Sequence, residues 1–131
     1  MEKFQLDVRA LVLKGDEVLF LMSNKDSSWD LPGGLLNQSE LPDAAITREI
    51  RAQTALETEN LALVSNTIYN RDNTPTLALF YLVDYKERNV DISDQFSKFA
   101  WIKLSDVKDQ TLPDWIKKHL VELLKKYQTP Q

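Results

Sequence analysis

Between Trp29 and Leu56 the chain gathers the side chains whose types and spacing could do chemistry. They are Trp29-Asp30-Leu31-Pro32-Gly33-Gly34, then Glu40, then Arg48-Glu49 and Gln53. Pro32 fixes one dihedral, and the two glycines permit backbone shapes that other residues avoid. Carboxylates three and four residues apart on a helix converge on one face, where they can hold a hard cation. Here Glu49 is followed at those spacings by Ala52 and Gln53, a methyl group and a neutral amide. Thiolate chemistry is excluded by inventory, because the chain has no cysteine. The single histidine, His119, lies one turn after Trp115 on a helical stretch, where packing or solvent exposure accounts for it.

Positioning those residues is the task of the flanking elements. Phe4, Leu6, Val8, Ala10 and Val12 recur with period two, which predicts a strand with one apolar face. Lys14-Gly15-Asp16-Glu17 supplies turn chemistry, and Val18 to Met22 reads as the returning strand of a hairpin. Ser23 to Ser28 reads as loop, and Trp29 to Gly34 continues it as the central loop before the helix. From Ser39 to Gln53 the pattern is helical, with Ser39 as N-cap, Pro42 in the first turn, and Ala45, Ile46 and Ile50 on the apolar face. Leu61 to Ile68 and Leu77 to Val83 form a second hairpin around the turn-rich Asn70 to Pro75. Phe99 to Leu104 is a further strand, and Pro113 to Tyr127 a closing amphipathic helix with Ile116, Leu120, Leu123, Leu124 and Tyr127 inward. The expected architecture is one α/β (α+β) domain over residues 1–131, a mixed β-sheet sandwiched between α-helices.

Composition bounds the function classes. A chain of 131 residues has room for one core and no second functional domain. Its 43% hydrophobic and 27% charged residues are those of an ordinary globular protein. A net charge of -4 disfavours nonspecific attraction to nucleic acid or to an anionic membrane. The Lys117-Lys118 and Lys125-Lys126 pairs read as the wet side of the last helix. No stretch is long and apolar enough for a secretory signal or a membrane span, and the absence of cysteine fits the cytoplasm.

From Gly34 the chain reads GLLNQSELPDAAITREIRAQTAL. This resembles the Nudix box, in which a glycine is followed after five residues by Glu, and after seven more by Arg-Glu-U-x-Glu-Glu-x-Gly-U, U being aliphatic. Gly34, Glu40, Arg48, Glu49, Ile50 and Leu56 match it, and the spacing is more specific than any one pair. Leu31-Pro32-Gly33 and Trp29 resemble the family's entrance to the box, and Phe99-Ala100-Trp101-Ile102 its late strand. The resemblance implies a Nudix-like fold and hydrolysis of a nucleoside diphosphate linked to another moiety, with Mg²⁺ or Mn²⁺ lowering the pKa of a bound water. It implies Glu49 as catalytic metal ligand, with Gly33 and Gln53 as further ligands. Arg48 and Glu40 take structural or orienting places, and Gly33, Gly34 and Arg71 meet substrate. The partner would be a nucleotide-type small molecule; oligomeric state is not fixed.

The chain departs from the family where the metal chemistry is concentrated. Ala52 and Gln53 stand at the Glu-Glu positions, so one carboxylate is left of three. Two unit charges in contact near a protein surface interact by roughly 4 kcal/mol before desolvation, so two missing carboxylates should weaken Mg²⁺ binding severely. Asn37 and Ser39 replace an acid and a glycine, and Ala55 replaces the glycine that ends the helix. Asp43, Glu57, Glu59, Asp91 and Asp94 are the acids available as substitutes, and none has the spacing of the helical triplet. Trp29, Tyr69 and Phe80 are the aromatic candidates for stacking on a base. Two function classes fit: a weak pyrophosphohydrolase, and a catalytically inactive nucleotide- or metabolite-binding domain acting as sensor or adaptor.

Overall fold

The computed structural model describes residues 4–86 and 89–125. Strands β1 (Gln5–Lys14) and β2 (Glu17–Ser23) form the first hairpin, followed by two short strands, β3 (Trp29–Asp30) and β4 (Gly33–Leu35). Helix α1 (Pro42–Thr54) comes next, then β5 (Thr58–Arg71), β6 (Thr74–Tyr85) and β7 (Phe96–Lys103). A 3₁₀ turn over Leu104–Asp109 leads to helix α2 (Asp114–Leu124).

The sheet is mixed. β1 runs parallel to β6 and antiparallel to β4, while β5 pairs antiparallel with β6. Beyond the turn at Gly15, β2 carries β3 and β7, both antiparallel to it. Gly15 takes φ +60, the left-handed shape this tight turn requires, and nothing would crowd a Cβ there.

β1 is buried on both faces, as expected of a central strand in a layered α/β arrangement. Val8, Ala10 and Val12 pack with Leu19, Leu21 and Val83 beneath Ala45, Ile46 and Ile50 of α1. On the other face Leu11 joins Phe20, Ala78 and Phe80 beneath Ile116, Leu120 and Leu123 of α2. Each fully buried Leu, Ile or Phe contributes about 1.5–3 kcal/mol of transfer free energy, so these two layers fix where α1 stands over β1. The expected sheet between helices is the observed one, and α1 and α2 present the apolar faces read from their spacing.

Three expectations are corrected. Ser39 is not the N-cap of α1: it has φ 66, and the cap position falls to Leu41 at φ -79 and ψ 150. The cause is Pro42, whose ring clashes with a helical residue before it and pushes Leu41 into extended geometry. The segment Asn70 to Pro75 is mostly ladder, since β5 and β6 pair out to Arg71 and Thr74 and only Asp72 and Asn73 turn, both at positive φ. Arg71 is therefore the end of a strand, not a loop residue. β3 and β4 were expected as loop; they are too short to show periodicity, and long-range pairing creates them. The inward readings of Leu124 and Tyr127 lie outside the described side chains and residues.

Candidate functional site

The site is built where β4 meets β1 and α1. In the ladder Gly33 stands opposite Arg9 and Gly34 opposite Val8. Gly33 has φ +150, and a Cβ there would lie 1.9 Å from the Val8 carbonyl oxygen, so only glycine permits this approach of backbones. A Cβ on Gly34 would lie 2.1 Å from Oε2 of Glu49. The two glycines thus let the strand pack against β1 on one side and receive a helix carboxylate on the other.

Three charged residues brace α1 against the loop before it. Arg48 Nε donates to Glu40 Oε2 at 2.7 Å and Nη2 to Oε1 at 2.9 Å, a two-point ion pair, while Nη1 donates to Glu49 Oε1 at 2.7 Å. Glu40 Oε1 also accepts from the Asn37 N–H at 2.9 Å. The Arg48 hydrogen bonds, then that of Asn37, hold the Glu40 carboxyl down at about 2. Glu40 in return raises the Arg48 guanidinium above its ordinary range. Glu40 and Arg48 are placed as braces for the Glu49 carboxylate.

Gln53, one turn after Glu49, is buried and grips the backbone of Gly33. Its Oε1 accepts from the Gly33 N–H at 3.1 Å, and its Nε2 donates to the Gly33 carbonyl at 2.8 Å and to Glu49 Oε2 at 3.2 Å. Ala52 is exposed and contributes no polar atom.

Along one side of the site runs a charge network that local sequence patterns do not show. Arg9 is buried, with Nε and Nη2 on Asp7 at 3.1 and 2.9 Å and Nη1 on Asp30 at 3.0 Å. Burial alone would lower the Arg9 pKa, but Asp30 and Asp7 outweigh it and raise it. The Tyr69 hydroxyl donates to Asp7, and the Tyr69 ring stacks on Trp115 at 3.7 Å between centroids. Burial, then the hydrogen bond to Asp7, raises the Tyr69 hydroxyl pKa. The signal in the sequence is an Asp and an Arg two residues apart within an apolar strand, on one face of the pleat.

A cleft of about 540 Å³ opens over these groups. It brings together Gly33, Gly34, Glu49, Gln53 and Arg71, five of the residues singled out from sequence, and adds Arg9, Lys25 and Phe96. Glu40 and Arg48 stand behind Glu49 and do not line it. Phe80 is fully buried in the α2-side core, so it has no face for a base. Tyr69 has one face covered by Trp115, and Trp29 packs against the same core. Phe96 is the aromatic side chain that lines the cleft.

The donor set does not fit the divalent metal that the family resemblance implies. Among the described residues no group of three His, Cys, Asp or Glu side chains gathers to hold a metal ion. Glu49 is the one carboxylate of α1 in the cleft, and both its oxygens already accept hydrogen bonds, from Arg48 and Gln53. Asp30 also lines the cleft, but it is tied to Arg9 at 3.0 Å and to the Leu31 N–H at 2.7 Å; Asp43 accepts from the Tyr81 hydroxyl at 2.7 Å, and neither it nor Asp91 or Asp94 lines the cleft. No helix of the described residues is long and apolar enough to cross a membrane.

The family model for the NUDIX domain matches residues 3–124. Solved structures share the fold at low identity. A MutT protein from Methanosarcina mazei Go1 superposes with a TM-score of 0.83 at 19% identity, covering 98% of each chain. A MutT NUDIX hydrolase from Burkholderia pseudomallei gives 0.82 at 19% identity, over 94% of this chain and 99% of that one. An ADP-ribose pyrophosphatase from Streptococcus suis 89-1591 gives 0.76 at 19% identity, over 97% and 94%. No curated protein matches the sequence significantly.

Proposed function

The chain belongs to the Nudix family, and from that premise we propose that its cleft binds a nucleoside diphosphate linked to another moiety, with hydrolysis far weaker than a three-carboxylate site would give. The observation that carries this reading is the joining, in one cleft, of the Gly33-Gly34 backbone with Lys25 and Arg71 while α1 offers only Glu49. The cleft of about 540 Å³ has room for a diphosphate, and the two cationic side chains complement its charge. Hydrolysis needs something more, a means of activating water and neutralising the transition state. Ala52 and Gln53 have removed two of the three groups that would supply it. Names of structural neighbours, a pyrophosphatase of ADP-ribose among them, support the nucleotide-type ligand class and leave the base and leaving group open.

The test is nucleotide or phosphate release from a panel of nucleoside diphosphate derivatives, with Mg²⁺ or Mn²⁺ present and then chelated, with binding followed in the same samples. Saturable binding with turnover reduced by roughly a thousandfold or more from ordinary values is expected. Rapid metal-dependent turnover abolished by Glu49→Gln would overturn the weak-hydrolysis part, and absence of binding across the panel the ligand class. A second reading, a binding domain with no turnover serving as sensor or adaptor, is favoured by the full engagement of Glu49 with Arg48 and Gln53. Binding without any release from bound ligand selects it.

A further inference from the structure

We infer that the Gln53 amide replaces a divalent cation in this cleft, so that the site is assembled, and takes its anionic ligand, without metal. The inference rests on the ligand class proposed above only for its last clause; the replacement itself stands on the geometry of Gln53, Gly33 and Glu49.

The Gly33 carbonyl and Glu49 Oε2 are two hard oxygens facing one point, two of the roughly six oxygen ligands a hard divalent cation takes. That point is taken by Nε2 of Gln53, 2.8 Å from the carbonyl and 3.2 Å from the carboxylate. An amide nitrogen has two hydrogens to donate, and both are used here. Turning the amide over would aim Oε1 at the same two oxygens and put Nε2 against the Gly33 N–H, which now donates to Oε1 at 3.1 Å. The hydrogen-bond pattern therefore fixes the orientation. A cation entering this point would break all three hydrogen bonds of a buried side chain, and would meet a carboxylate already hydrogen-bonded by Arg48 at 2.7 Å.

The amide does structurally what the cation would do. It ties α1 to β4, holds Glu49 in place and fixes the backbone of Gly33 at the cleft floor. It brings no positive charge, and Arg9 is already paired with Asp7 and Asp30, so countercharge for a diphosphate falls to Lys25 and Arg71 on the cleft wall.

The first experiment titrates the ¹⁵N-labelled full chain with Mn²⁺ alone and reads paramagnetic broadening at the Gly33 and Gly34 amides and the Gln53 side-chain NH₂. Up to about 1 mM Mn²⁺, no broadening selective for these groups is expected in the wild-type chain. Gln53→Glu is expected to create such a site and to gain thermal stability with Mn²⁺, which the wild-type chain does not. Saturable broadening centred on Gly33 in the wild-type chain overturns the inference, and so does a folded Gln53→Glu chain that gains no Mn²⁺ site. If Gln53→Glu does not fold, the wild-type titration decides alone. The second experiment measures ADP affinity in chelator and in Mg²⁺; values within about twofold are expected, and a tenfold gain with Mg²⁺ overturns metal-free binding. Failure of ADP to bind in either condition sinks the nucleotide reading and leaves the Mn²⁺ result to judge Gln53.

Discussion

Gly34 and Glu49 occupy each other's free space: a Cβ on Gly34 would stand 2.1 Å from Glu49 Oε2, the far end of a flexible side chain. Gly34→Ala should therefore swing the carboxylate aside at small cost to the fold, about 1 kcal/mol or less, while breaking the Glu49 to Gln53 hydrogen bond. Gly33→Ala differs in kind, because its Cβ would meet the Val8 carbonyl at 1.9 Å and the φ of +150 is strained for any side chain. Backbone strain and loss of the β1–β4 ladder should destabilise it by about 3 kcal/mol or more. Urea denaturation of the two variants checks the contrast; equal losses would mean that Gly33 relaxes in a way the ladder does not suggest.

Arg9 is ion-paired with two carboxylates, Asp7 and Asp30, and is itself buried. Arg9→Met strands Asp7 with no cation and should destabilise the fold by about 3–5 kcal/mol. Arg9→Lys should not restore it, since an ammonium cannot span both oxygens of Asp7 and reach Asp30 in one geometry. The paired change Asp7→Leu with Arg9→Met removes the fully buried carboxylate with its cation, leaves only the partly exposed Asp30 without a partner, and should cost less than Arg9→Met alone. A double-mutant cycle by denaturation measures this; strict additivity would contradict the coupling.

Much of the fold was legible because its signals are local. Turn residues at Gly15, apolar spacing through Ala45, Ile46 and Ile50, and the glycine-to-acid spacing from Gly34 to Glu49 each act within one element or its neighbour. What escaped depends on register between distant segments. The Asp7–Arg9–Asp30 network exists only once β1 and the β3 end are brought together, and Gln53 reads in sequence as a spare carbonyl ligand until Gly33 presents both a donor and an acceptor to it. Ser39 misled for a local reason, the extended geometry that Pro42 imposes on Leu41. Phe96 carried no signal at all, because its place in the cleft follows from the pairing of β7 with β2.

Glu40 makes the brace on Arg48 sensitive to acid. Its folded pKa is lowered to about 2 from an ordinary 4.5, so its contribution to stability is fully present above the ordinary value and is lost as pH falls through that window towards 2. Glu40→Gln should be less stable than the wild-type chain at neutral pH, with the difference in melting temperature shrinking below about pH 4.5. Melting curves at closely spaced pH values test it; a difference independent of pH would assign the loss to packing instead of charge.

Phe96 lines the cleft and is half-buried against the α1-side core. A base stacked on an aromatic ring gains roughly 1–3 kcal/mol, so Phe96→Leu should weaken ADP binding by about fivefold or more while Phe96→Trp retains it. Titration calorimetry on folded variants distinguishes the cases. Unchanged affinity in Phe96→Leu would place the base elsewhere in the cleft.

Ala55 closes α1 in the left-handed conformation, φ 64 and ψ 7, with its N–H donating to the Arg51 carbonyl at 3.0 Å. A left-handed residue with a Cβ is disfavoured by about 1–2 kcal/mol, whereas glycine adopts this shape freely and loses more chain entropy on folding. The balance favours glycine at such a helix end. Ala55→Gly should raise stability by roughly 0.5–1 kcal/mol without touching the cleft, since Ala55 is not among its lining residues. Denaturation midpoints together with ADP affinity check both halves. A destabilised Ala55→Gly would show that the methyl group makes packing contacts worth more than the strain, and a changed affinity would show that the end of α1 is coupled to Gln53 two residues before it.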